Sequence, residues 1–320
     1  MLRSIARIVL AAALLATGAV TLAGLSAPLH PPADIINHFR PLILAAASGL
    51  LAAALALSAR RLAWAGAALT GVNAVLLGLP LLWSAEPAER STAGQALAAG
   101  GSRDIKIVTF NIQSDDEAAA RFLLNEDPDI AVLQEIEGSD ALRSALRARY
   151  PHAHVCRMVR YDCSAAIFAK RPWVAAGQVH WTKESPETLW VQFDNPDYGR
   201  LKVVGVHLSL PFRAEHQTNH IARLTALRGG ADGQLVMAGD FNMTPWSYRL
   251  QRLLAATGLR RHATFLRSWP TDGQYRLPWP TFLIDHVLTT PEIKSVSIRT
   301  GPVLGSDHLP VVAVLRVPTK

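Results

Sequence analysis

The sequence predicts an α/β protein, a four-layer α/β/β/α sandwich preceded by three transmembrane α-helices. Three observations lead there: long uncharged apolar runs crowd into the first 85 positions, short alternating runs outnumber helix-period runs beyond residue 101, and an Ala-, Gly- and Ser-rich stretch without periodicity separates the two parts. Half of the 320 residues are hydrophobic and 18% are charged, which suits a chain partly immersed in lipid and excludes disorder. Only 2 cysteines, and 21 glycines and 20 prolines without a triplet period, exclude disulfide-dense and collagen-like classes. No internal period of solenoid or propeller length is present.

The uncharged runs are Ile8–Leu29, Pro41–Ala59 and Leu62–Ala85. Each is long enough to cross roughly 30 Å of hydrocarbon as a helix. A cleavable signal peptide is the competing reading of the first, but the run exceeds the usual apolar core of about 7–15 residues and two more follow. Gly24, Gly49, Gly66 and Gly71 are small residues of the kind that let membrane helices approach closely. Arg3 and Arg7 precede the first span and Arg60 and Arg61 join the second to the third, whereas the first loop carries Asp34 and Arg40. The positive-inside bias therefore puts the N-terminus and the Arg60–Arg61 turn in the cytoplasm. Three spans then put the C-terminal part on the periplasmic or extracellular side of a bacterial inner or plasma membrane. The expected organisation is an anchor over 1–85, a flexible linker over 86–101 and a globular domain over 102–320.

Within that domain Asp104–Ile112 alternates and reads as a strand, Asp115–Asn125 as an amphipathic helix with an acidic first turn, Asp129–Gln134 as a buried strand and Ser139–Arg149 as a helix. Strands follow at Ala165–Ala169, Val174–Trp181, Thr188–Asp194 and Leu201–Leu208. Helices over Arg213–Arg228 and Trp246–Ala256, and strands at Gln234–Ala238, Ile284–Leu288, Ile293–Arg299 and Val311–Arg316, complete the pattern. The excess of strands favours two stacked sheets with helices outside over one doubly wound sheet.

Chemistry gathers where these strands end. Asn111 closes the first strand in TFNIQ, Glu135 follows the apolar strand in DIAVLQE, and His207 ends VVGVHLSLP. Asp240 and Asn242 sit in GDFN, Asp285 and His286 in IDHVL, Asp307 and His308 in GSDHLP. A hard divalent cation, Mg²⁺ with Mn²⁺ as substitute, takes carboxylate, amide and water oxygens, and Asn111, Glu135 and Asp307 offer that set without a thiolate. His207 and His308 offer proton transfer near neutral pH. His286 follows Asp285 on a strand, faces the other way and reads as structural.

Each motif alone has an ordinary explanation as a turn or helix cap, but in this order they resemble the endonuclease/exonuclease/phosphatase superfamily, the deoxyribonuclease-I-like fold, over about residues 104–317. The resemblance implies Asn111 and Glu135 as metal ligands, with Glu135 the principal one. It implies Asp240 and Asn242 as the pair that orients the attacking water and contacts phosphoryl oxygens. His207 matches the histidine of the deoxyribonuclease and sphingomyelinase branches, which helps to stabilise the phosphate or to protonate the leaving group. Asp285 matches the carboxylate that hydrogen-bonds the last histidine, and Asp307 and His308 match the terminal pair, Asp307 near metal and His308 at the phosphate. The expected activity is metal-dependent hydrolysis of a phosphoester, most simply a phosphodiester, in nucleic acid, a phospholipid or a small phosphate ester. An inactive membrane-anchored scaffold of the same fold is the competing reading, and the completeness of the motif set counts against it.

Three features stand apart from the motifs. Cys156 and Cys163 bracket a short segment and are suited to a disulfide in an oxidising exterior, with two buried free thiols as the alternative. Trp269, Trp279 and Pro280 either line a substrate cleft or form a packed loop. Beyond residue 101 there are 26 Lys and Arg against 22 Asp and Glu, an excess compatible with an anionic substrate or membrane surface and too small to point to nucleic acid. Nothing in the sequence calls for an obligate protein partner.

Overall fold

The computed structural model describes all residues except 83–100, 114–115, 137–139, 157–163, 180–187, 231–232, 263–264, 272–281 and 320. The expected linker, Cys163, Trp279 and Pro280 therefore lie outside the described residues, apart from Gly101 at the linker's end. The chain forms two compact units. One comprises Met1–Trp83 with Pro211–Glu215 and Met243–Arg252, the other Ser84–Leu210, His216–Asn242 and Leu253–Lys320.

The first unit contains α1 (Leu2–Leu25), a 3₁₀ segment (Pro31–Phe39), α2 (Arg40–Ala56) and α3 (Arg60–Leu82). Three helical stretches, with mean hydropathies of 2.2, 1.8 and 1.7, are long and apolar enough to cross a membrane. Each helix begins earlier than its uncharged run, because arginines at a helix end leave the hydrogen-bond ladder intact. Arg40 opens α2 instead of lying in the loop. It is buried, donating to Asn37 Oδ1 at 2.6 Å and to Asn73 Oδ1 of α3 at 3.2 Å. A Cβ on Gly24 would lie 2.7 Å from Arg40 Nη2, so this glycine makes room for that network. Gly66 lies against the Leu51 backbone, whereas Gly49 and Gly71 meet nothing within 4 Å, so close approach at those two positions is corrected. Leu10, Leu14 and Ala54 are buried between the helices, and Ile8, Leu15, Leu22 and Leu55 face outward.

The second unit is built on two six-stranded sheets. The first runs β11 (Lys294–Thr300), β12 (Val311–Pro318), β1 (Ser102–Asn111), β2 (Ile130–Gln134), β4 (Ala166–Ala169), β3 (His152–Val155). The second runs β5 (Ala175–Gln178), β6 (Thr188–Asn195), β7 (Gly199–His207), β8 (Gln234–Asp240), β10 (Asp285–Thr289), β9 (Arg260–Arg261). Among the described residues, only β1–β2 and β7–β8 pair in parallel. One face of each sheet supplies a shared core: Ile105, Ile107, Ile130 and Val132 from the first, Leu201, Val203, Val236, Ala238 and Val287 from the second. Val108, Phe110, Ala131 and Leu133 point from the first sheet to the opposite side, onto Ala119 and Leu123 of α4 (Asp116–Glu126) and Leu142 and Leu146 of α5 (Asp140–Leu146). Period-two alternation thus separates two cores with one set of strands. Helix α6 spans Ala214–Gly229 and α7 spans Tyr248–Thr257.

β3 and β9 escape the sequence reading because HAHV and RR are too short to establish a period; β3 is held by its pairing with β4. Gly239, in GDFN, is indispensable: at φ 150° an added Cβ would fall 1.8 Å from Val206 O on the neighbouring strand. Gly239→Ala is expected to cost on the order of 3 kcal/mol or more, read as a lower thermal midpoint. Buried His220 on α6 offers a second test. Burial, with the charges of His216 and Arg223, pushes its pKa from 6.5 down to about 3. Between those values the unfolded chain binds the extra proton, so stability is full above pH 6.5 and lost as pH falls. Its contribution is at most about 1.4 kcal/mol per pH unit. His220→Gln should flatten that slope in urea midpoints measured from pH 7 to 4.

Candidate active site

The alternation that fills the shared core also builds the site. On β1 the inward residues run Ile107, Thr109, Asn111; on β7 they run Val203, Gly205, His207; on β8 they run Val236, Ala238, Asp240. Antiparallel β10 begins with Asp285. The register makes His207 the partner of Asp240, and Asp240 the partner of Asp285, so three polar side chains form one row across β7, β8 and β10. Each strand changes from apolar to polar where the sandwich opens.

Glu135 follows β2 at φ 53°, and Asn242 follows β8 at φ 50°, a left-handed backbone that turns each side chain off its strand's alternation. Asn111 Nδ2 donates to Glu135 Oε1 at 2.8 Å and lies 3.5 Å from Asp240 Oδ2. Asp240 Oδ1 accepts the Asn242 backbone N–H at 2.7 Å. The Asn242 amide donates to Leu208 O at 2.8 Å and to Asp240 Oδ2 at 3.2 Å. His207 Nε2 stands 3.5 Å from Glu135 Oε1. His308 Nδ1 is 2.9 Å from Asp285 Oδ2, and its Nε2 faces Asp240 Oδ2 at 3.7 Å and Asp307 Oδ1 at 3.8 Å.

All eight side chains singled out from the sequence are therefore joined by contacts in one region, Asp307 less directly than the rest. Its carboxylate accepts the Trp269 indole N–H at 2.8 Å, and its backbone N–H donates to Gln113 Oε1 at 3.2 Å. Trp269 thus buttresses Asp307, with its ring centroid 6.4 Å from that of His308. His286 lies on the far face of β10, edge-on to Phe241 at 5.6 Å, as its parity requires. Three supporting residues went unnoticed in the sequence. Ser306 Oγ donates to Asn111 O at 2.6 Å and accepts the His308 N–H at 3.0 Å, tying the chain's last motif to its first. Gln217 on α6 donates to Ser209 O at 2.6 Å and Asn242 O at 3.2 Å. Gln134 donates to Thr109 Oγ1 at 3.2 Å beneath Asn111. Ser306 and Gln134 sit inside the quoted motifs, within reach of the sequence; nothing in α6 marks Gln217.

The electrostatics drive the two histidines apart. Burial, assisted by the charge of His308, lowers the pKa of His207 against the pull of Glu135, which keeps its imidazole neutral. Burial also opposes charge on His308, but Asp285, Asp240 and Asp307 outweigh it and push its pKa up to about 10. Burial and the neighbouring Asp285 raise Asp240 to about 7, against the attraction of His308. A neutral imidazole, a cationic imidazole and a carboxyl group titrating near neutrality thus share one mouth.

No group of three or more His, Cys, Asp or Glu forms a ready-made metal site among the described residues. The donor chemistry nevertheless suits a hard divalent ion. Asn111 Oδ1 is buried with no hydrogen-bond donor, an orphaned oxygen on the side chain that touches Glu135, whose carboxylate is 39% exposed.

The chain belongs to the endonuclease/exonuclease/phosphatase family, whose model matches residues 108–308; members of this superfamily are phosphoesterases. The structure is similar to an endonuclease/exonuclease/phosphatase from Beutenbergia cavernae, with 23% identity, TM-score 0.55, and coverage of 68% of this chain and 72% of that one. It is similar to a family protein from Leptotrichia buccalis, with 13% identity, TM-score 0.54, and coverage of 66% and 99%. A Bacteroides vulgatus protein of the family gives 18% identity, TM-score 0.53, and coverage of 67% and 99%. At these identities the likeness establishes the deoxyribonuclease-I-like fold. No curated protein matches the sequence.

Proposed function

We propose that this protein is a membrane-anchored, divalent-metal-dependent hydrolase of phosphodiester bonds. The observation that carries the reading is the linked cluster of Asn111, Glu135, Asp240, Asn242, Asp285 and His308, with an orphaned amide oxygen beside an accessible carboxylate. Glu135 and Asn111 are the residues that would hold Mg²⁺ or Mn²⁺, with Asp307 near. When bound, such an ion supplies charge neutralisation at the phosphoryl oxygens and leaving oxygen.

The remaining work falls to the chain's own groups. Asp240 accepts a proton from the attacking water, a task suited to a carboxylate titrating near neutral pH. Cationic His308 presents a donor to the non-bridging oxygens, where charge accumulates in the transition state, and Asn242, whose amide donates to Leu208 O and Asp240 Oδ2, holds the Asp240 carboxylate in place. Asp285 holds the His308 ring by its Nδ1, leaving Nε2 turned toward Asp240. His207, beside Glu135, stands where it can stabilise the phosphate or serve the leaving group.

Arginines at positions 3, 7, 60 and 61 support an orientation with the phosphoesterase domain outside the cytoplasm. The test is a panel assay of the full-length protein in detergent against plasmid DNA, sphingomyelin vesicles and bis(p-nitrophenyl) phosphate. At least one should be cleaved, EDTA should stop cleavage, and Mg²⁺ or Mn²⁺ should restore it. Failure on all three, with either ion present, would sink the proposal.

A further inference from the structure

The residues just beyond the GDFN motif belong to the helical unit, in company with the membrane-type helices. At their centre is Asp34, in the 3₁₀ segment between α1 and α2, with no exposed surface. Its two carboxylate oxygens accept from Ser247 Oγ at 2.7 Å, Tyr248 N at 2.7 Å, Arg249 N at 3.2 Å, Arg249 Nε at 3.1 Å and Asn37 Nδ2 at 2.8 Å. Tyr248 is the first residue of α7. Asp34 therefore satisfies the open N–H groups of that helix and meets the positive end of its dipole, as an N-cap residue does, from a segment more than two hundred positions earlier. Two further bonds fix the same segment: Trp246 Nε1 donates to Leu77 O at 2.9 Å, and Arg249 Nη2 donates to Pro211 O at 3.0 Å.

Between Asn242 and this capped start lie only Met243, Thr244, Pro245 and Trp246, all buried, with Ser247 N closing a turn onto Thr244 O at 3.0 Å. A proline-containing, fully buried stretch of that length has no slack to absorb a shift. Asn242, at its head, holds the left-handed backbone conformation on which its amide donors depend.

We infer that Asp34 is a positioning residue of the phosphoester site: by capping α7 it sets the backbone of residues 243–247 and, through them, the aim of Asn242. The helical unit then contributes to turnover as well as anchoring the chain. The inference rests on the role assigned above to Asn242.

The experiment compares full-length wild type, Asp34→Ala, Asp34→Asn and Trp246→Phe in detergent. It follows hydrogen exchange of overlapping peptides across 239–252, together with kcat and KM on bis(p-nitrophenyl) phosphate with Mg²⁺. For Asp34→Ala, exchange should accelerate on the order of tenfold or more at Tyr248 and Arg249 and spread to Asn242. kcat should fall by a similar factor, with KM changed less than about twofold. Asp34→Asn, which keeps one acceptor oxygen, should fall between, and Trp246→Phe should show the same pattern more weakly. Faster exchange confined to 247–252 with Asn242 still protected would overturn the inference, as would unchanged kcat in an active enzyme. If wild type cleaves nothing while Asn242 responds to Asp34→Ala, the positioning stands and the hydrolase reading falls.

Discussion

Asp240→Asn is expected to lower kcat by about 10³-fold, within the usual range for loss of a general base, with the fold unchanged. The carboxylate is 2% exposed and holds the Asn242 backbone N–H on one oxygen and the Asn242 amide on the other. Asparagine matches its shape, keeps one acceptor for the Asn242 backbone N–H and removes a charge whose burial is unfavourable, but it loses the bond from the Asn242 amide and the attraction of cationic His308, so the thermal midpoint should fall by only a few degrees. What asparagine cannot do is take a proton from water. A second measurement separates chemistry from architecture: hydrogen exchange at Asn242 should stay slow in Asp240→Asn. Turnover within a few-fold of wild type would remove Asp240 from the mechanism.

For Asp285→Asn the expected outcome is a changed pH profile together with a loss of roughly 10²–10⁴ in kcat. Burial alone would drive His308 toward the neutral form; Asp285, in contact at 2.9 Å, is the first of the groups that hold it cationic up to about pH 10. Without that carboxylate the folded-state pKa of His308 falls. The alkaline limb of kcat/KM, where the cationic donor is lost, should then move to lower pH by about one unit or more. A limb that stays in place, or moves upward, would show that His308 is not the cationic donor. The same substitution also tests stability. In the wild type the raised pKa of His308 contributes stability that is fully present below pH 6.5 and lost as pH rises toward 10; Asp285→Asn should weaken that dependence.

Much of the site was legible in the sequence because it obeys strand parity. Asn111, His207, Asp240 and Asp285 each continue an inward-facing apolar row, and His286 is excluded by the same rule. Apolar alternation likewise identified the central strand β1, and short apolar runs identified β2, β7 and β8. What stayed hidden depends on partners distant along the chain. β3 is a strand because β4 pairs with it, not because HAHV prefers to be one. Arg40 reads as a loop charge until Asn37 and Asn73 are seen to satisfy it. Asp34 looks like an ordinary loop carboxylate, and only the folded chain brings Tyr248 and Arg249 to it. The sequence around Trp269 suits a cleft wall or a packed loop equally, and its indole bond to Asp307 supports a buttressing role.

Under the proposed mechanism, the cross-strand row His207–Asp240–Asp285 makes activity a report on folding fidelity. A single-residue insertion within β7, or a slip of β8 by one position, would throw a reacting group onto the wrong side of the sheet while leaving bulk secondary structure almost untouched. Misregistered molecules would pass a circular-dichroism check and fail an assay, so specific activity per folded chain is the more sensitive gauge of whether the sandwich has assembled correctly.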